Sequence, residues 1–361
     1  MRYLIGLFLL TVTLGRGLFA ADVLPVSDNA RLKFEGKVAF VEGPSWHPTG
    51  NVYFSDILNE RIMRRDRNGE LHVFRTSSGF TNGTCFDLQG RMICCEGGGA
   101  ASKRRITRLE LNGTITVLAD SFDGKRINSP NDCTIDRKGR VYFTDPRYGN
   151  RAGLEQFNAD GEEIEGVYRI DDVGKVSRIL AHEIQRPNGI AISPDQKFLY
   201  IADNRNDKPT DNRKLWRFNL NADGSVDSTS QKLLFDWGTD RGPDGMAIDS
   251  LGRLYVTAGF NHPEPPAQTA HKYKAGVYVI TSEGKLVQFI PVPTDMITNC
   301  AFGDDDLKTL YITAGHKLWS IRTGVTGHVE WLRGLNRRSS TNERSHREHR
   351  GHGEVQGSSR G

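Results

Sequence analysis

Four short turns, far apart in the chain, each set an acidic or carboxamide side chain just ahead of a strand-like run. They are Glu42 before GPSW, Asn131 and Asp132 in SPND, Asn188 in RPNG and Asp244 in GPDG. Any one of them is ordinary, because Asn and Asp side chains bond their own backbone and favour turns. Together they repeat one local geometry, Pro-Asn-Asp, Pro-Asn-Gly and Pro-Asp-Gly, while varying the oxygen donor. Two carboxylates and two amide oxygens make a hard, oxygen-only set that suits one divalent cation. Ca2+ comes first, with Zn2+, Mn2+ or Mg2+ as alternatives. No His or Cys stands in these turns, which argues against a soft, zinc-specific site.

Such residues do chemistry together only if the fold brings them to one place, and an internal repeat supplies the means. Segments beginning at Gly43, Asn82, Pro130, Pro187, Gly242 and Thr298 share one plan: polar turn, short apolar strand, Gly- or Asp-rich turn, and a second strand ending in a small or acidic residue. Several continue into third and fourth strands through tight turns such as RNGE, LNGT and SEGK, whose Asn-Gly or Gly content hairpins require. This spacing is the period of β-propeller blades. The expected fold is all-β, a six-bladed β-propeller of four-stranded blades over residues 31–323. Its last repeat lacks a fourth strand, which the segment 31–40 would supply to close the ring. The turns ahead of the innermost strands then meet at one end of the central channel.

The ends of the chain differ from this body. Residues 1–20, with Arg2 before the apolar run from Leu4 to Leu14, read as an export signal cut after Ala20. The expected location is periplasmic or secreted, with no stable membrane insertion after cleavage; an uncleaved anchor is the competing reading, although the run is short for a span. Residues 327–361 are charged and poor in apolar side chains, the composition of a disordered tail. Histidines 346, 349 and 352 there need no ligand role. The two ends contribute +5 to the formal charge of +4, which leaves the body near −1, and the body shows no basic, aromatic-interleaved footprint for nucleic acid. Five cysteines, Cys85, Cys94, Cys95, Cys133 and Cys300, show no metal-type spacing and are expected as buried thiols.

The motifs VEGPSW, SPND with VYFTDPRYG, RPNGIAISPDQKFLYIAD, GPDGMAID and TLYITAG, in this order, resemble the gluconolactonase group of the SMP-30/gluconolactonase/luciferin-regenerating family. The resemblance implies one divalent ion on the propeller axis and hydrolysis of a small lactone. It carries the ligand role onto Glu42, Asn188 and Asp244, and an axial role, on metal or on substrate, onto Asn131, with Asp132 orienting it. Where animal members have an Arg two residues before that Asn, this chain has Ser129, so a sugar contact made by that Arg is not carried over.

On this reading Asp244 is both ligand and catalytic base. Trp46, Asn131, Asp132, Arg147 and Tyr148 are the expected substrate contacts, His47 a structural or substrate-contact residue, and the long loop 260–273 a lid. A GxSxG elbow is absent, which removes support for a serine esterase. An aryl-ester or organophosphate hydrolase with a similar site and a non-enzymatic binding propeller are the competing classes.

Overall fold

The computed structural model describes residues 24–98, 101–148 and 152–330. Among the described residues, six antiparallel four-stranded sheets form the blades, and a two-stranded hairpin, Ser121–Phe122 with Lys125–Arg126, lies between blades 2 and 3. Blade 1 runs from Val41–His47 to Leu71–Thr76, blade 2 from Thr81–Phe86 to Ile115–Ala119, and blade 3 from Cys133–Ile135 to Val176–Leu180. Blade 4 runs from Pro187–Ile192 to Val226–Asp236, and blade 5 from Met246–Ile248 to Leu286–Pro291. Blade 6 takes three strands from Ile297–Gly303 onward, and its outer strand is Lys33–Lys37, paired antiparallel with Lys317–Arg322. The last sheet is therefore built from both ends of the propeller, and no strand edge is left open between the first and last repeats.

Position within a blade explains each strand's pattern. Second strands lie between two neighbouring blades, so both faces are covered: Val141–Asp145, Leu254–Ala258 and Thr309–Ala314 are buried at every residue. Outer strands have one wet face and alternate, as in Ile115–Ala119. Aromatic rings pair across strands within a blade; Phe143 and Tyr168, directly opposite one another in blade 3 and both fully buried, stack at 5.3 Å. The inner hairpins repeat one device. Asp87, Asp136 and Asp249 each accept two backbone N–H groups across the turn and pair with the Arg four residues on, Arg91, Arg140 and Arg253.

All five cysteines are free, four of them buried and Cys85 partly so; the sulfurs of Cys85 and Cys133 approach to 3.2 Å across adjacent blades. Residues 327–330, the start of the expected tail, pack on the propeller. Gly327 and His328 donate backbone bonds to Leu307 and Ile248, and Glu330 is buried against Gln196 and Arg137. This stretch packs because Val325, Val329 and the His328–Glu330 pair find partners on the face opposite the converging turns, a gain that composition does not reveal. The export signal and residues 331–361, with the three tail histidines, lie outside the described residues. Among those described, no helix is long and apolar enough to cross a membrane.

Candidate metal centre

Each blade begins its innermost strand with one residue facing the same end of the channel. In blade order these are Glu42, Asn82, Asn131, Asn188, Asp244 and Thr298, and all six line one cavity of about 540 Å3. The structure thus brings together the four residues chosen from the turns and adds two from blades 2 and 6. Asn82 was visible in the same repeat, since NGTC aligns with PNDC, whereas Thr298 lacks the acid or amide that drew attention to the others.

Three kinds of contact hold this ring. Glycine follows the ring residue in blades 1, 2, 4 and 5 so that the neighbouring blade can approach: Gly83 donates to the carbonyl of Asn131 at 2.7 Å and Gly189 to that of Asp244 at 3.0 Å. A Cβ on Gly189 would stand 2.3 Å from that carbonyl oxygen. Hydroxyls from second strands hold other ring carbonyls, Ser55 that of Asn82, Thr144 that of Asn188 and Thr257 that of Thr298. Finally, the acid that ends a second strand clasps the turn leading into the ring. Asp56 accepts the N–H groups of Ala39 and Phe40, Asp145 those of Asn128 and Ser129, and Asp203 those of Gln185 and Arg186. These bonds fix backbone, so the ring side chains leave it in one direction.

The carboxylates are under electrostatic stress. Burial, then repulsion from Asp244 and Asp132, raises the Glu42 pKa well above the usual range. Burial also raises Asp244, while the guanidinium of Arg241, 2.5 Å from its Oδ2, opposes the shift. Arg241, itself buried and bonded to the carbonyl of Ile297, is a cavity residue that the sequence reading missed. Nothing in its turn distinguishes it until blade 5 is folded.

Asn188 is oriented by Tyr148, whose hydroxyl accepts from Nδ2 at 2.9 Å and donates to the carbonyl of Asn204 at 3.3 Å. The same carboxamide also donates to the Asp244 carboxylate, so Asn188 is held between Tyr148 and a neighbouring ring acid while its oxygen accepts no described hydrogen bond. The carboxamide of Asn131 makes no hydrogen bond to a described side chain or backbone group. Two buried acids short of counter-charge, beside amide oxygens that the protein does not consume, fit a hard divalent cation.

Arg147 and Tyr148 line the cavity, and from the loop 260–273 so do Glu264 and Gln268. Trp46 and Asp132 do not. They line a separate chamber of about 160 Å3 on the other side of the ring, together with His328 and Glu330. Asp132 spans the channel there, accepting from the backbone of Cys133 and from Nδ2 of Asn299 in blade 6, and burial lifts its pKa to about 8. His47 lies in an outer groove against Phe86, bonded to Thr49. Among described residues, the His/Cys/Asp/Glu grouping tight enough to share an ion is Asp66, Glu70 and His72. It sits on the outer hairpin of blade 1, where Asp66 already accepts the N–H groups of Asn68 and Glu70.

Comparison with known proteins agrees with this architecture. The chain is 29% identical over 312 residues to a gluconolactonase of Zymomonas mobilis, covering 80% of each protein. It is 28% identical over 284 residues to a 6-deoxy-6-sulfogluconolactonase of Pseudomonas putida, covering 76% of this chain and 83% of that one. The solved gluconolactonase of Xanthomonas campestris superposes with a TM-score of 0.66 at 27% identity, over 84% of this chain and 95% of that one. The family described as the SMP-30/Gluconolactonase/LRE-like region matches residues 40–316, and this six-bladed chain belongs to that family.

Proposed function

We propose that the chain is a lactone hydrolase that opens sugar lactones of the gluconolactone type with the help of one divalent cation, Ca2+ first. Relatives that bear the names gluconolactonase and sulfogluconolactonase across most of its length support the substrate class. The observation that carries the metal reading is the ring of Glu42, Asn131, Asn188 and Asp244, two buried acids and two carboxamides from four blades at the floor of one cavity. Lewis acidity toward the carbonyl and an acidified water are what such a cation supplies when bound.

The chain's own groups do the rest. Glu42, Asn188 and Asp244 hold the cation, and Asn131 presents its carboxamide to the ring. Asp244 accepts the proton that the attacking water gives up, and Arg241 on its Oδ2 balances the charge before the proton arrives. Arg147 is held by the carbonyl of Asn128 and by Glu165 through its backbone N–H, and forms part of the wall that orients the sugar.

Turnover of glucono-1,5-lactone, followed by acid release in a pH-stat, is expected to stop with EDTA and return with Ca2+. Turnover that persists in EDTA removes the metal from the mechanism. Cleavage of an aryl ester or phosphotriester in place of the lactone favours the related hydrolases, and metal binding without any turnover favours a binding propeller. We also propose export, for which the mature chain should begin at Ala21.

A further inference from the structure

The cavity differs from one side to the other. Above the ring, blades 3 to 5 present Arg147, Tyr148, Asn204, Asn206, Glu264 and Gln268. The opposite arc presents Phe40, Ile57, Leu58 and Met296, with Gly97 and Gly98 adding backbone but no side chain. The side chains of blades 1 and 6 in this second arc are apolar, and Ser129 at its edge turns its hydroxyl onto the carbonyl of Gly97.

Two features of the apolar arc are not explained by core packing. Leu58, at the tip of the short 3-10 turn Ile57–Asn59, is 69% exposed, while Ile57 beneath it is buried. A surface leucine adds little to the fold, and here it continues the wall upward from Ile57. Met296 is held at φ 56°, its carbonyl fixed by the N–H of Gly315. A long side chain in the left-handed region is uncommon, and such strain concentrates at binding sites. In the turn that leads into blade 6 it sets a flexible thioether facing the cavity, two residues before Thr298. The volume points the same way: about 540 Å3 lies within the ~300–1,000 Å3 of sites that enclose ligands well above the size of a six-carbon lactone.

We propose that this arc is a subsite for an apolar substituent, so that the substrate is a hydroxylated lactone bearing an alkyl or aryl group. Its hydroxyls face the polar side chains of blades 3 to 5, and its apolar group lies on Ile57, Leu58 and Met296. Continuity with the metal ring selects this occupant, because a group on the lactone itself reaches the arc without leaving the cavity. The inference rests on the lactone-hydrolase reading and extends it. Each methylene buried there is worth about fourfold in kcat/KM.

The test uses the full chain with Ca2+, glucono-1,5-lactone and its 6-O-butyl ether. The ether is expected to exceed the parent in kcat/KM by about tenfold or more, since part of the chain stays wet. Leu58→Asn should bring the ratio of the two close to one, and Leu58→Met should keep it. Calcium titration of each variant checks that the ring is intact. A wild-type ratio at or below one, or a ratio that Leu58→Asn leaves unchanged, overturns the subsite while the hydrolase reading stands. Failure to open either lactone overturns the hydrolase reading, and this subsite with it.

Discussion

At the scale of single residues, Tyr148 is a positioning group more than a sugar contact. Its hydroxyl accepts from Asn188 and donates to a blade 4 carbonyl, so it holds the carboxamide that, on the proposed reading, offers its oxygen to the cation. Partners that orient a metal ligand commonly carry ~10–100-fold in affinity. Tyr148→Phe is expected to weaken Ca2+ or Tb3+ binding by about tenfold, read by calorimetry or lanthanide luminescence; unchanged affinity removes the role. Asp244→Asn keeps the shape of the side chain but loses its charge, and leaves Arg241 buried without its counter-ion. Turnover should fall by about 10²-fold or more, and near-normal turnover with metal still bound contradicts Asp244 as the base. The sequence showed the ring acids because each lies in a local turn that repeats. It did not show which neighbours lie on the same level. Trp46 is four residues past Glu42, roughly 13 Å down the channel at strand rise, and Asp132, one residue past Asn131, is held the other way by the Cys133 backbone and Asn299. Both therefore belong to the chamber behind the ring. Arg241 and the Tyr148–Asn188 bond depend on packing within and between folded blades, which no spacing in one segment encodes.

At the scale of elements, the acids that end second strands connect the repeat to the site. Asp56, Asp145 and Asp203 appear in the sequence as a strand-terminal acid, and in the structure each clasps two N–H groups of the turn that aims a ring residue. Glu96 of blade 2 is used otherwise, binding Arg75, Arg105 and Thr107, and blades 5 and 6 end these strands in Ala258 and Ala314. The repeat thus made the strands and blade count readable, but not which blades share the clasp. Removing it orphans two buried donors at ~1–3 kcal/mol each. Asp145→Ala is expected to lower unfolding free energy by about 2–5 kcal/mol, measured in urea, and to weaken metal binding through Asn131. Asp304→Ala, in the inner hairpin of blade 6 at the end opposite Thr298, serves as a control that should leave metal affinity unaltered. A loss of stability without loss of affinity would mean that the clasp supports the blade alone.

At the scale of the whole molecule, the propeller gathers acids that it does not neutralise, and this links its stability to pH and to metal. Burial raises the pKa values of Glu42 and Asp244, lifts Asp145 to about 7 and lifts Asp132 to about 8. An acid whose folded pKa lies above its unfolded value binds protons more tightly when folded, so protonation favours the native state. For Asp132 that stabilisation is complete below about pH 4, its unfolded range, and is lost as pH rises toward about 8. The metal-free protein should accordingly melt at a lower temperature at pH 8 than at pH 5. A cation reverses the preference at the ring, because Glu42 and Asp244 must release protons to bind it and their charges then have a partner. The rise in melting temperature on adding Ca2+ to EDTA-treated protein should therefore be larger at pH 8 than at pH 5. At a hundredfold excess over Kd the binding contribution is ~2.7 kcal/mol, enough to resolve by differential scanning fluorimetry. Equal Ca2+ shifts at the two pH values would mean that the ring acids are already ionised without metal, and that something other than the cation balances their charge.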